Sequence, residues 1–257
     1  MAIHPTAVVE DGARIDPSCT IGPLAFVGAA VTLGPGCVVG PHGVVTGRTT
    51  LGAGNRIFSH AVIGEIPQDL KYGGEPTETV IGDRNTFREF ATVHAGTVQD
   101  RGVTRIGSGG LFMAGSHVAH DCVVGDGAII ANGVALGGHV VLEDHVHFGG
   151  LSAAHQFTRV GRLAFVGGMT GVAMDVAPYC TVNGARAELA GLNVVGLQRA
   201  GMDEAAIGRV KQVFKLFFRS NLQAAEALAQ IEAELGGAPE VAHFVAFVRA
   251  SRRGITR

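Results

Sequence analysis

The stretch HVAHDCVVGDGAIIANGVALGGHV, residues 117–140, carries three imidazoles, His117, His120 and His139, in a run otherwise made mostly of small and apolar residues. A neutral imidazole acts as a general base. Asp121 follows His120, and a carboxylate there orients the ring and stabilises its protonated form, as a triad acid does. Farther along, Gly137-Gly138 offers a corner without side chains, where a backbone N–H can meet a developing oxyanion. Base, orienting acid and oxyanion donor are the minimum set for moving an acyl group from a thioester to a hydroxyl. The set works only if residues about 18 positions apart lie side by side, so the fold must supply that juxtaposition.

An internal repeat supplies it. Stepping by six from Ile3 meets Val9, Ile15, Ile21, Val27, Leu33, Val39, Val45, Leu51, Ile57 and Ile63. The phase resumes at Ile81, Phe87 and Val93, and again from Ile106 through Phe112, Val118, Val124, Ile130, Leu136, Leu142, Phe148, Ala154, Val160 and Val166 to Val172. A small or β-branched residue usually follows four positions later, as at Ala7, Ala13, Cys19, Ala25, Val31, Cys37 and Cys122. Each hexapeptide therefore reads as a short strand and a corner, with the aliphatic residue inside, the small one near the corner and Gly permitting the turn. Three hexapeptides make one 18-residue triangular coil, and coils stack as parallel strands about 4.8 Å apart. The repeat resembles the left-handed parallel β-helix of the hexapeptide transferases. The left hand is implied by that resemblance, since the general crossover rule favours the other hand.

Stacking by 18 places positions 118–120, 136–139 and 154–156 on one edge of the prism. His117, His120, His139, His155 and Gln156 thereby gather there, with four of the chain's 11 His among them. His42, His60, His145 and His147 are read as solvated surface side chains. Hexapeptide-fold carbonic anhydrases bind zinc through three histidines, two of them spaced H-x4-H. That spacing is lacking here, so no metal is expected, and no cofactor.

Two segments, 68–80 and 99–105, break the period and must loop out of the prism, where function often resides. The β-helix is expected over 1–186 and a helical domain over 187–257. Asp203 starts a first helix marked by Ile207, Val210, Phe214 and Phe217; Leu228, Ile231 and Leu235 mark a second; Pro239 opens a third. The fold class is mainly β, with a three-helix tail.

Hydrophobic residues make up 47% of the 257 and charged residues 16%, which suits a large core, and 39 Gly with no Trp suit tight turns more than a helical bundle. A net charge of −2 gives no reason to expect nucleic-acid binding. The charge is uneven: 199–257 holds 9 Lys/Arg against 6 Asp/Glu, and 1–198 holds 11 against 16, so the tail suits an acidic partner. The start, MAIHPTAVVEDGARI, has no secretory pattern, and no apolar run approaches the ~18 residues of a membrane span. Cys19, Cys37, Cys122 and Cys180 show no zinc spacing, and the first three read as reduced core thiols of a cytoplasmic protein.

Four segments, IGEIPQDLKYGGEPT, HVAHDC, AAHQF and GLNVVGLQRAG, together with the helical tail, resemble the acyl-carrier-protein-dependent UDP-N-acetylglucosamine O-acyltransferases along essentially the whole chain. The resemblance implies transfer of an (R)-3-hydroxyacyl group from acyl carrier protein to the 3-hydroxyl of UDP-N-acetylglucosamine, the first step of lipid A synthesis. It implies a homotrimer with sites between neighbouring prisms. His120 becomes the base, Asp121 its partner and the Gly138 N–H the oxyanion donor. Asp69 and Lys71 would reach substrate across the interface between chains; His94, His117, His139, His155 and Gln156 would line the groove. Asn193 and Arg199 would hold the UDP part, Arg suiting a diphosphate by charge and fork geometry, and Gly168 would floor the acyl groove. The chain departs from the family pattern at Val195, Ala200 and Phe218, all near the nucleotide end. The N-acyltransferase that acts two steps later shares the repeat and the His base but carries a uridine-binding domain before the β-helix, for which a repeat starting at Ile3 leaves no room. A non-catalytic scaffold would have no use for His120-Asp121 opposite Gly138.

Overall fold

A computed structural model describes residues 2–257. Short strands, most of two residues, pair every third element into three parallel sheets of eleven, nine and eight strands. The registers are those of the repeat: Ile3 faces Ile21, Val9 faces Val27 and Ile15 faces Leu33. The result is a triangular, left-handed parallel β-helix. Two coils are longer. Leu51 faces Ile81 and Ile81 faces Ile106, so one coil takes 30 residues and the next 25 in place of 18. The extra residues leave as loops and the chain returns in phase. Strands resume at Glu78 and Val103, so the last residues of the two segments expected to loop out, 68–80 and 99–105, already belong to the third sheet.

The repeat's aliphatic residues fill the prism axis. From Ile21 to Val172 nearly all are under 3% exposed, and the Phe87 and Phe112 rings stack there at 4.7 Å. Only the first coil is open, Ile3 being 38% exposed. The four cysteines are free and buried, and Cys19, Cys37 and Cys122 occupy the small interior slot, each with its thiol on a backbone carbonyl of the next coil.

Glycine turns corners at positive φ as expected, as at Gly36, Gly115 and Gly133, and has a second task besides. Many corners turn on non-glycine residues at positive φ, among them Leu24, Asp121, His139 and Phe157. The glycine after an interior aliphatic residue is needed for close approach between coils: a Cβ on Gly34 would lie 2.7 Å from the backbone carbon of Gly52. Stacked backbones leave that corner no room for a side chain.

The tail differs at its start. A strand, Glu188–Leu192, pairs antiparallel with Cys180–Asn183 and ends the first sheet, so β structure runs past residue 186. Four helices follow rather than three: α1 (Val194–Arg199), α2 (Glu204–Phe218), α3 (Ala224–Leu235) and α4 (Pro239–Arg249). Asp203 caps α2 through Ala206 N–H, and Pro239 opens α4. The faces marked by Ile207, Val210, Phe217, Leu228, Ile231, Phe244 and Val245 are buried against one another. α1 is too short to show a helical period; its signal is its cap, Asn193, whose side chain accepts the Gly196 N–H.

Candidate active site

The histidine cluster sits on the corner between the second and third sheets. The strand His117–Val118 enters this corner and Val123–Val124 leaves it. Asp121, His139 and Phe157, one above another at 18-residue steps, take the left-handed conformation with φ of 58°, 63° and 65°. Asp and His tolerate that conformation better than most residues. Each corner is tied to the next coil, His139 N–H donating to His120 O at 3.0 Å and Phe157 N–H to Gly138 O at 3.1 Å.

Asp121 is fully buried, and a buried carboxylate needs its oxygens satisfied. The Thr97 N–H reaches both oxygens, at 2.9 and 3.1 Å, and the Thr97 hydroxyl donates at 2.6 Å. His120 Nδ1 lies 2.9 Å from Asp121 Oδ2. An acceptor-only carboxylate at Nδ1 fixes the proton there, leaving Nε2 with its lone pair. The Asp121 N–H is held by Thr104 Oγ1 at 2.8 Å. Gly138 packs on the face of the His120 ring: a Cβ there would lie 2.5 Å from Cε1, so any side chain would displace the imidazole. Among the described residues no acceptor meets the Gly138 N–H.

A cleft of about 810 Å³ opens on this corner, lined by Gln68, Asp69, Leu70, Lys71, Gln99, Asp100, His120, His139, Gln156 and Phe157. Both excursion loops therefore lean on the same corner. Asp69 and Lys71 line the His120 cleft of their own chain. The loop carrying them leaves and rejoins the β-helix beside this corner, and Asp69 Oδ1 accepts the Lys71 N–H at 2.9 Å to close its turn. Phe157, Gln99 and Asp100 were not anticipated. Phe157 was legible as the residue 18 after His139; Gln99 and Asp100 lie in a loop, where no period applies.

Three expected groove residues are not in the cleft lining. His94 is 5% exposed and packs behind His117, ring centroids 4.7 Å apart. His117 is half-buried, with Thr92 Oγ1 2.7 Å from its Nδ1. His155 is exposed, its Nδ1 3.0 Å from Gln156 O. Asn193 and Arg199 lie elsewhere: they line a separate hollow of about 710 Å³ with His145, His147, Phe165 and Val195. Both polar atoms of the Asn193 side chain are committed there, Oδ1 to Gly196 N–H at 3.1 Å and Nδ2 to Leu163 O at 2.9 Å. His42, His60 and His145 are exposed, as expected, His42 and His60 in a surface ring stack with Phe90, whereas His147 is half-buried in the hollow that His145 also lines. Gly168 sits exposed on the other margin of the second sheet.

One ligand atom from each of His120, Asp121 and His139 fits within 4.8 Å, a spacing a metal ion could use. Asp121 meets three donors in this arrangement, the Thr97 N–H shared between both oxygens, the Thr97 hydroxyl and His120 Nδ1, so its oxygens are occupied by hydrogen bonds. The donor set suits an oriented imidazole better than a metal centre.

Burial pushes His117 down to about 4, with His94 and His120 adding in the same direction, and burial also lowers His94. The unfolded chain binds a proton at His117 near 6.5, so protons favour the unfolded state between those values. Stability is retained above 6.5 and lost as pH falls toward 4. His117→Gln, which keeps a partner for Thr92, should flatten that loss, read as thermal midpoint against pH. A slope identical to the parent's would contradict this assignment.

A profile of the family described as Udp N-acetylglucosamine O-acyltransferase, domain 2, matches residues 175–256. The acyl-[acyl-carrier-protein]–UDP-N-acetylglucosamine O-acyltransferase of Anaeromyxobacter dehalogenans is 76% identical over the full length of both chains. That of Myxococcus xanthus is 54% identical over 99% of each. The solved UDP-N-acetylglucosamine O-acyltransferase of Moraxella catarrhalis superposes with a TM-score of 0.97 at 42% identity over 100% of both chains. Identity of this extent, spanning β-helix, loops and helical tail alike, places the chain in the family of the acyl-[acyl-carrier-protein]–UDP-N-acetylglucosamine O-acyltransferases.

Proposed function

We propose that the chain moves an (R)-3-hydroxyacyl group from acyl carrier protein to the 3-hydroxyl of UDP-N-acetylglucosamine, the opening step of lipid A synthesis in the cytoplasm. The observation that carries this reading is the pairing of His120 with buried Asp121 at 2.9 Å, facing a cleft and backed by Gly138. His120 Nε2 takes the proton of the sugar hydroxyl as its oxygen attacks the thioester carbonyl carbon. Asp121 stabilises the imidazolium that forms. The oxyanion of the tetrahedral intermediate accepts the Gly138 N–H. On collapse the C–S bond breaks, the imidazolium returns its proton to the departing thiolate, and the acyl ester remains on the sugar. Lys71, exposed on the rim of the cleft, suits an anionic or hydroxyl-rich substrate.

The active unit is a homotrimer. A filled prism has no internal pocket, and the Arg199 hollow is distinct from the His120 cleft within one chain, so a nucleotide sugar spanning the two draws them from neighbouring chains. Fully exposed Leu70, at the tip of the first loop, suits burial against such a neighbour. Asn193 contributes by capping α1 and so aiming Arg199, with both its own polar atoms already bonded. The carrier protein is acidic, and Lys211 and Lys215 on α2 with Arg219 at its C-cap form an exposed stripe at four-residue spacing that attracts it through long-range charge. No helix among the described residues is long and apolar enough to cross a membrane.

The acyl chain lies along the outer face of the second sheet, where Ala135, Ala153 and Gly171 stack with little relief above His117. Gly168 stands at the far margin, and a Cβ there would meet only the Gly150 backbone, its oxygen at 3.3 Å. That open space suits a longer donor chain, each further buried CH₂ adding about 0.8 kcal/mol.

Three measurements test this reading. His120→Ala should fold as the parent does and lose ~10²–10⁴-fold in turnover; a folded variant with near-parental turnover would overturn the mechanism. Mixed trimers of His120→Ala with Arg199→Ala should recover activity, whereas His120→Ala with Lys71→Ala should not, since those two residues share one chain's cleft. Recovery in the second mixture alone would reverse the assignment of loops to chains. Gly168→Met should shift the preferred donor to shorter chains at unchanged stability, and an unaltered chain-length profile would move the end of the groove elsewhere.

A further inference from the structure

The second excursion loop carries a carboxylate that acyl transfer by His120 and Asp121 leaves unused. Asp100 Oδ2 lies 2.9 Å from His139 Nδ1, while Asp121 Oδ2 stands 3.9 Å from the same atom, beyond hydrogen-bond distance. His139 is therefore the imidazole of a second His–carboxylate pair, standing edge-on to the first with ring centroids 5.0 Å apart. Two further contacts hold its ring and a third holds its backbone. It stacks on Phe157 at 4.3 Å and 7°, its edge meets His120, and its own backbone N–H is bonded to His120 O.

We infer that Asp100 is a positioning residue that acts through His139, holding the Nδ1 proton so that Nε2 is presented as a hydrogen-bond acceptor to the acceptor sugar. An acceptor-only carboxylate at Nδ1 selects the Nδ1–H tautomer, and the other nitrogen then carries a lone pair. Among the described residues His139 Nε2 has no hydrogen-bond partner, and His139 lines the cleft. A lone-pair nitrogen there takes a hydroxyl or an amide N–H. The sugar is the better match for this place: Gln68, Asp69, Lys71, Gln99 and Gln156 bring polar groups to the lining beside Leu70 and Phe157, whereas the side-chain-poor track for an acyl chain runs over Ala135 and Ala153.

The same loop is bound to the first pair as well. Thr97 donates twice to Asp121, and Arg101 pairs with Asp100 at 3.5 Å while donating to Asp121 O at 3.3 Å. Residues 97–101 thus brace both imidazoles from one tight turn, closed by Thr97 O accepting from Asp100 and Gly102 N–H.

This inference rests on the proposed acyl transfer to a nucleotide sugar, and its test separates the two. Nitrogen-15 NMR of the imidazoles in the full-length protein should show His139 as the Nδ1–H tautomer in the parent and in Asp100→Asn, whose amide oxygen still accepts. Asp100→Leu should show a mixture. With UDP-N-acetylglucosamine and hydroxyacyl carrier protein as probes, Asp100→Leu should raise KM for the sugar nucleotide about 10-fold, the effect of one lost hydrogen bond, and leave KM for the carrier unchanged. Asp100→Asn should stay within about 3-fold, and Asp100→Leu should add nothing in a His139→Ala background. An unchanged His139 tautomer in Asp100→Leu, or a loss that adds in full to that of His139→Ala, would overturn the role of Asp100. A parent inactive on these substrates would count against the proposed function, and the tautomer would still decide the inference.

Discussion

The stacking register of the coils is the constraint on which everything else depends. Each strand is only about two residues long, so no strand is stable alone, and pairing holds only because interior residues 18 apart meet coil after coil. A slip of one residue would turn every interior side chain outward. Insertions are consequently confined to corners, and the chain must re-enter in phase, as Ile81 does against Leu51 and Ile106 against Ile81. Glycine follows the same constraint: at Gly34 it is contact between stacked backbones, rather than a left-handed turn, that excludes a side chain.

The candidate site uses the register as a ruler. Residues that share one corner at 18-residue steps, Asp121, His139 and Phe157, become a vertical column with their backbones tied together. The column by itself would leave a carboxylate buried without enough partners. Thr97 supplies them from the second loop, so loop and corner stabilise each other: the buried charge holds the loop, and the loop holds the charge in the orientation that fixes the His120 proton. Behind the column His117 and His94 are kept neutral by burial, which leaves no buried positive charge beside His120.

A prism packed with aliphatic side chains has surfaces but no interior cavity, and this shapes what one chain can do. The His120 cleft gains its depth from two loops rather than from the β-helix, and the hollow holding Arg199 forms where α1 folds back against the first sheet near the prism's end. Family membership extends over all of these parts, since relatives match the chain from end to end.

The amino-acid sequence alone determined the β-helix, the interior column, the reduced cysteines in their small slots, the two excursions and the partnership of His120, Asp121 and Gly138. Apart from the cysteines' reduced state and the adjacency of His120 and Asp121, these follow from periodicity, and periodicity survives in a one-dimensional string because every coil repeats the same contacts. The family was legible for a similar reason, in segments whose residue types are local. Tertiary structure decided what has no period. It showed Asp69 and Lys71 on their own chain's cleft, moved His94 behind His117 and His155 to the surface, committed Asn193 to a helix cap, and brought Asp100 to His139. Loops owe their course to hydrogen bonds with whichever coil they lie against, as Thr97 does with Asp121 across 24 residues. No spacing rule in the sequence encodes such a contact, and only the folded chain reveals it.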